Sequence, residues 1–459
     1  MELTGKRVYV ENLGCAKNQV DAEVMLHALV QAGCIVSDSA VDADVVLVNT
    51  CGFIEPARKE SIDTFFTLRN QYPQARIVMT GCLAQRYGKE LDTQLVEADG
   101  LFGNRNLRMI VPFVQELFEG ARVVRFPAYP AIHDEDDTRG RLFNYAGSAY
   151  LKISEGCDHR CRYCAIPLIR GPLRSRPREA ILAEARRLIG SGIRELNLIA
   201  QDLAAYGTDL GDHRSLFTGL LADLAALEGD FRLRMLYIHP DAFPEDLPAL
   251  VAANPKIIPY FDIPFQHADP AVLRPMGRVG SKESYLALLA RIRGFLPNAT
   301  FRSTLMLGFT GDSEQALEEL KDFLVKAQLD WVGTFTYSRE EDTPAYADRP
   351  TAQYRQIAKK ANAWRKEIEA LQEPISQKRL QRFVGTELDV LIEEQVEGED
   401  LAIGRTAHQA PEVDGLTVVM GRNLVPGQVV RCGIIRANGI DFEAVPVSTS
   451  DRMHDGARR

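Results

Sequence analysis

Three cysteines stand close together near the first third of the chain, Cys157, Cys161 and Cys164, spaced C-x3-C-x2-C. Three thiolates in one tight loop can hold three irons of a 4Fe–4S cluster and leave the fourth iron open. An open iron can chelate the amino and carboxylate groups of S-adenosylmethionine. The plainer alternatives are a zinc site with a distant fourth ligand, or cysteines that are simply buried. Tyr163, the aromatic directly before the last cysteine, favours the cluster and is read as a cofactor-side residue.

Cys15, Cys51 and Cys82 are far apart in sequence but equivalent in position. Each follows a short apolar run, in a Gly-containing stretch that leads into a helical pattern. In parallel α/β sheets such loops converge outside the strand ends, so the three thiols can form a second three-thiolate site. The alternative is that one or two are small buried hydrophobes. Cys34 and Cys432 fit neither pattern and read as structural.

The elements that must position these loops alternate. Apolar runs at Arg7 to Val10, Asp44 to Val48 and Arg76 to Met79 are each followed by a helical stretch, which predicts a parallel sheet of βαβ units over about residues 5–120. Residues 121–147 read as a linker, with the acidic run Asp134 to Asp137 as a solvated charge run. A second alternation fills 148–373, with strands expected at Tyr150–Ser154, Glu195–Ala200, Arg234–Ile238, Ile258–Ile263, Ser303–Leu307 and Val332–Tyr337. Six parallel strands predict an open, partial (βα)6 barrel with its site at the strand C-termini. The polar helical pattern from Thr351 to Gln372 is expected to stop at Pro374. From 376 to 445 short alternating runs predict a small antiparallel β-barrel, and 446–459 a disordered tail. The whole is α/β with a small all-β appendage.

Composition bounds the function. The chain has 459 residues, 46% hydrophobic and 25% charged, with a net charge of −9. These are proportions of an ordinary globular protein with about three domains, with no overall field for nucleic acid. The opening residues lack a secretory pattern and no long apolar stretch occurs, so a cytoplasmic, membrane-free protein is expected.

Asn12-Leu13-Gly14-Cys15, Asn49-Thr50-Cys51 and Thr80-Gly81-Cys82 resemble the N-terminal domain of the radical S-adenosylmethionine methylthiotransferases. Tyr150 to Cys164 resembles their radical loop, and the C-terminal barrel resembles their TRAM domain. Within that family, Gly52 to Ala57 and Ala410 to Gly415 are similar to the RimO type, which acts on an aspartate of small-subunit ribosomal protein twelve. The MiaB type, which modifies adenosine in transfer RNA, is the near alternative, and an iron–sulfur electron-transfer or sensor protein is one of another class.

The resemblance implies two 4Fe–4S clusters and S-adenosylmethionine. The cluster at Cys157, Cys161 and Cys164 would generate a 5′-deoxyadenosyl radical, and the auxiliary one at Cys15, Cys51 and Cys82 would carry sulfur to the aspartate β-carbon. It further implies an external electron donor such as a flavodoxin-type protein, and a monomer. Where relatives of this barrel carry Gly-Gly-Glu, the chain has Ala200-Gln201-Asp202, so only Gln201 is carried over as a cofactor contact. Arg302 is expected to pair with the cofactor carboxylate, the alternative being a surface salt bridge. Gly308, in a Gly-Phe-Thr-Gly-Asp stretch, is expected to approach the adenosine by its backbone, the alternative being a plain turn. His239 and His267 are read as hydrogen-bonded structural residues.

Between 376 and 445 eleven acids face seven bases, a balance of −4. A barrel gripping RNA needs Lys and Arg, whereas an acidic one suits a basic protein. Glu393, Glu394, Glu397 and Glu399 are the expected docking face, the alternative being a merely solvated face.

Overall fold

The computed structural model describes residues 3–127, 139–348 and 350–447; the acidic run Asp134 to Asp137 and the tail from 448 lie outside them. The first unit is a six-stranded, wholly parallel sheet in the order β2-β1-β3-β4-β5-β6. Its strands are β1 (Arg7–Asn12), β2 (Ile35–Val36), β3 (Val45–Thr50), β4 (Arg76–Gly81), β5 (Gly100–Gly103) and β6 (Val123–Arg125). β3 is apolar up to its last two residues and buried throughout, as a strand covered on both faces must be. Helices α1 (Ala16–Gln31), α2 (Glu55–Gln71) and α3 (Cys82–Arg86) follow β1, β3 and β4. β2, β5 and β6 are additions to the strands expected from sequence, and β6 falls inside the stretch read as linker.

The second unit is the expected six-stranded parallel sheet, open between its edges, in the order β14-β13-β12-β11-β10-β7. Its strands are β7 (Ser148–Lys152), β10 (Glu195–Ile199), β11 (Arg232–Met235), β12 (Ile257–Asp262), β13 (Thr300–Leu307) and β14 (Trp331–Thr336). A two-stranded antiparallel ribbon, β8 (Ser154–Glu155) with β9 (Arg174–Ser175), closes the base of the cysteine loop. The two sheet faces divide by side-chain alternation. Leu151, Leu196, Leu198, Leu233, Met235 and Phe261 pack under the helices. Tyr150, Ile199, Leu236, Ile258 and Tyr260 face the other way and join one buried cluster with residues of both flanking units.

The helix expected to end before Pro374 instead runs unbroken from Thr351 to Gln381. Contacts on either side of the proline hold it. Gln372 donates to Leu329 O at 2.9 Å and Ser376 to Asp330 O at 2.7 Å, while Arg379 reaches Asp330 at 3.1 Å. One missing N–H is outweighed by these buried anchors.

The third unit is a closed barrel in the order β15-β16-β17-β19-β18. It comprises β15 (Glu387–Gln395), β16 (Leu401–Thr406), β17 (Thr417–Met420), β18 (Val429–Asn438) and β19 (Asp441–Pro446). It is not wholly antiparallel as expected, because β17 and β19 pair in parallel to close it. Glu393 also departs from expectation. It is buried, not part of an acidic face, and accepts from Arg405 at 2.7 Å.

Candidate active site

Cys157, Cys161 and Cys164 sit in the loop after β7 and β8, at the C-terminal mouth of the open barrel. The loop is fixed by backbone bonds from Cys157 N to Gly171 O (3.2 Å) and from Arg162 N to Met276 O (3.0 Å). Gly156 is obligatory at its root. Its φ is +77°, and a Cβ there would lie 2.0 Å from Pro172 O. His239 stacks on His159 with ring centres 4.2 Å apart, and its Nε2 is 4.0 Å from Cys161 Sγ. Burial, with Arg278 and His159 adding, pushes His239 down to about 2, so it stays a neutral imidazole beside the sulfur.

The second set forms where the order of the N-terminal sheet reverses, at β1 and β3, and at the adjacent end of β4. The pairing of Asn12 with Asn49, and of Thr50 with Gly81, levels the three strand ends. Cys15 therefore precedes α1, Cys51 follows β3 and Cys82 opens α3. Gly52 permits the close approach of two of these loops, since a Cβ would lie 2.8 Å from the Cys82 carbonyl. The three thiols lie within electrostatic reach of one another. Cys82 Sγ also receives Asn104 Nδ2 at 3.3 Å and Arg170 Nη2 at 3.4 Å.

Burial pushes the thiols of Cys82, Cys157 and Cys164 up to about 12. Protonated thiols of that kind make poor nucleophiles, and only a bound metal's positive charge would turn them into thiolates. Three thiols in each set match the three protein ligands that a 4Fe–4S cluster with one open iron would need.

Beside Cys82 lies a buried wall of charged side chains drawn from both units. Lys152 Nζ pairs with Asp21 at 2.6 Å and Glu155 at 2.8 Å, and Arg170 Nη1 pairs with the same two at 3.0 and 2.8 Å. Two cations and two anions cancel, which is how four buried charges can be tolerated. Arg170 belongs to the helix Ile166–Arg170, directly after the radical loop, so this one side chain spans from that loop to Cys82. Phe53 and Cys82 pack against Ala165 and Ile169 beside it.

The other expected cofactor contacts are scattered. Gln201 is at the wall, donating to Glu155 at 3.0 Å. Tyr163 turns into the core, its ring edge-on to Phe309 and its hydroxyl accepting from Arg278 at 3.0 Å. Gly308 forms a turn with φ +84°, where a Cβ would meet that of Ala361 at 2.6 Å. Arg302 is drawn elsewhere: its guanidinium pairs with Asp414 and Val413 O of the C-terminal barrel. His267, read as hydrogen-bonded, does accept at Nδ1 from Asp269 N at 3.0 Å. Sequence reasoning missed the wall itself. Its signals were the polar run Lys17-Asn18-Gln19 and Asp21 after Cys15, and Glu155 just before Cys157.

A model described as uncharacterized protein family UPF0004 matches residues 7–103, the Radical SAM superfamily matches 151–324 and the TRAM domain matches 384–447. Together these units define a radical S-adenosylmethionine methylthiotransferase. Among its relatives is the ribosomal protein uS12 methylthiotransferase RimO of Treponema denticola, 38% identical over 95% of this chain and 99% of that protein. The RimO of Syntrophomonas wolfei is 42% identical over 89% and 92%. The chain belongs to the RimO family. Among solved structures, the radical S-adenosylmethionine methyltransferase TsrM from Kitasatospora setae, with cobalamin and a 4Fe–4S cluster bound, shares the fold. Its TM-score is 0.56 at 14% identity, over 75% of this chain and 74% of that one.

Proposed function

We propose that this chain exchanges a hydrogen on the β-carbon of an aspartate residue of ribosomal protein uS12 for a methylthio group. The observation that carries the reading is the pair of cysteine triads set across one buried wall, in a chain similar over its length to uS12 methylthiotransferases. Cys157, Cys161 and Cys164 would hold one 4Fe–4S cluster and Cys15, Cys51 and Cys82 a second. When bound, these clusters and S-adenosylmethionine supply the radical that takes the hydrogen and the sulfur that replaces it. The protein's own part is to enclose and orient. The wall of Lys152, Arg170, Asp21 and Glu155 keeps water from the space between the triads, and His239 stays neutral beside Cys161. Gln201, whose amide donates to Glu155 at 3.0 Å, would contact the cofactor.

The C-terminal barrel supports a protein substrate over RNA. Glu394, Glu397 and Glu399 are exposed on the β15–β16 hairpin, where they would repel a phosphate backbone and attract a basic ribosomal protein. Among the described residues no helix is long and apolar enough to cross a membrane; the reading takes the protein to be a cytoplasmic monomer fed by a flavodoxin-type donor.

The test is iron and product. Replacing Cys157, Cys161 and Cys164 together should leave about four of about eight irons and abolish S-adenosylmethionine cleavage. Replacing Cys15, Cys51 and Cys82 should also leave about four, with cleavage kept and methylthiolation of uS12 lost. A radical-loop triple variant that retains all its iron overturns the assignment.

A further inference from the structure

Only two lysines of the described chain are buried, Lys152 and Lys17. Lys152 has two carboxylates. Lys17 is 9% exposed and has none, because among the described residues no acidic oxygen lies within 4.0 Å of its ammonium. Its nearest partner is a ring: Nζ lies 3.4 Å from the centre of Tyr237, a residue of the open barrel held at φ +68°. A buried ammonium with only a π-face for company lacks much of its charge compensation.

The position of that ammonium is informative. Lys17 leaves the first turn of α1, two residues after Cys15, and crosses from the N-terminal unit into the barrel interior. Its charge is within electrostatic reach of Cys15 on one side and of Glu155, Arg170 and Asp262 on the other. It therefore stands beside Cys15 at the seam where the N-terminal unit meets the open barrel. The positive end of α1 adds to it, for that helix has no side-chain cap and no acidic residue in its first turn. The other buried cations near the seam are engaged. Arg170 is held by Asp21 and Glu155, Arg302 by Asp414, and Arg278 lies beneath the radical loop on Tyr163 and Pro264 O.

We propose that the Lys17 ammonium binds the carboxylate of the substrate aspartate and so sets that residue's β-carbon between the two triads. The proposal rests on the reading of the substrate given above and deepens it. The chemistry is economical, because the β-carbon is bonded directly to the carboxyl carbon. A carboxylate clamped at Lys17 leaves the reacting carbon one bond from a fixed point. Removing hydrogen from that carbon does not change the carboxylate charge, so the clamp persists through the reaction. Lys17 thereby selects aspartate over asparagine, whose amide offers the ammonium a carbonyl oxygen but no negative charge.

The experiment measures binding to the full, reconstituted enzyme. Purified uS12 and its variant with asparagine at the modified aspartate are titrated against the native enzyme, K17M and K17R. Native enzyme should prefer the aspartate form by about tenfold or more, the range of a charge-assisted bond. K17M should bring the two forms within about twofold, and K17R should retain most of the preference. Iron content should be unchanged in both variants. An undiminished preference in K17M overturns the proposal. So does loss of the auxiliary irons in K17M, which would make Lys17 the counter-ion of that cluster. If the native enzyme fails to methylthiolate uS12 at all, the substrate reading falls first and the clamp with it.

Discussion

Replacing Glu195 by Gln should loosen the joint between the open barrel and the C-terminal barrel. Glu195 opens β10 and is buried against two guanidiniums, with Arg234 Nη2 and Arg405 Nη1 each at 2.9 Å. Arg405 continues to Glu393 at 2.7 Å, and Arg234 Nη1 donates to Ala407 O at 3.0 Å, so the charges tie β10 and β11 to β15 and β16. Burial by itself would raise the Glu195 carboxyl, but Arg234 and Arg405 overcome it and hold it down at about 2 against an ordinary 4.5. At about 1.4 kcal/mol per pH unit, that depression is worth on the order of 3 kcal/mol. The loss expected on breaking one partner of a buried pair is similar, about 3–5 kcal/mol. Because the folded value lies below the unfolded one, this stability is present in full above pH 4.5 and lost as the pH falls toward about 2. Urea unfolding of the iron-free protein, followed by tryptophan emission, reads it out. Trp331 is a native reporter, since its Nε1 donates to His408 O across the same joint at 2.8 Å. E195Q should lose about 3 kcal/mol at pH 7, and its deficit should shrink as the pH falls below the carboxyl range. A deficit under about 0.5 kcal/mol at pH 7, the usual effect of a surface substitution, would refute the reasoning. So would a deficit that does not change with pH.

Two further outcomes follow from the site. Gly156→Ala forces a Cβ into Pro172 O at a backbone angle that only glycine adopts readily, so its iron content should fall by about four while the auxiliary cluster persists; full iron by chemical analysis would contradict the loop geometry. Charge reversal of Glu394, Glu397 and Glu399 together should weaken uS12 binding by about tenfold at low salt and less at high salt, with iron unchanged; affinity within about twofold of native at low salt would make the hairpin a merely solvated surface.

The cysteine triads were legible because the rule that places them is local. A strand, a Gly-containing turn and a helix put Cys15, Cys51 and Cys82 at strand C-termini, and parallel pairing then brings them together. The wall was not, because its residues look like a solvated helix face. Lys17, Asn18, Gln19, Asp21 and Glu23 are all buried in α1, and only the packing of one unit on another shows that a polar face points inward. Counting charges had the same defect. Glu393 and Asp414 enter the tally of barrel acids, yet each is consumed by an arginine, Arg405 and Arg302. The partner of Arg302 was illegible for the same reason, since a strand-end arginine gives no hint of which neighbouring unit supplies an anion for its salt bridge. Pro374 misled because local propensity was weighed without the buried anchors at Gln372 and Ser376, which sequence does not display.

The unbroken helix from Thr351 to Gln381 makes the two barrels one gauge. Its 31 residues span about 46 Å at 1.5 Å per residue, with no joint along the way. Phase as well as length is conserved along such a rod. One residue inserted within it would advance everything beyond by about 1.5 Å and turn it by about 100°, setting Arg405 and Asp414 against the wrong partners. A substrate seated on the C-terminal barrel, as proposed, would be measured off against the cysteine loops by the same periodicity that winds the helix.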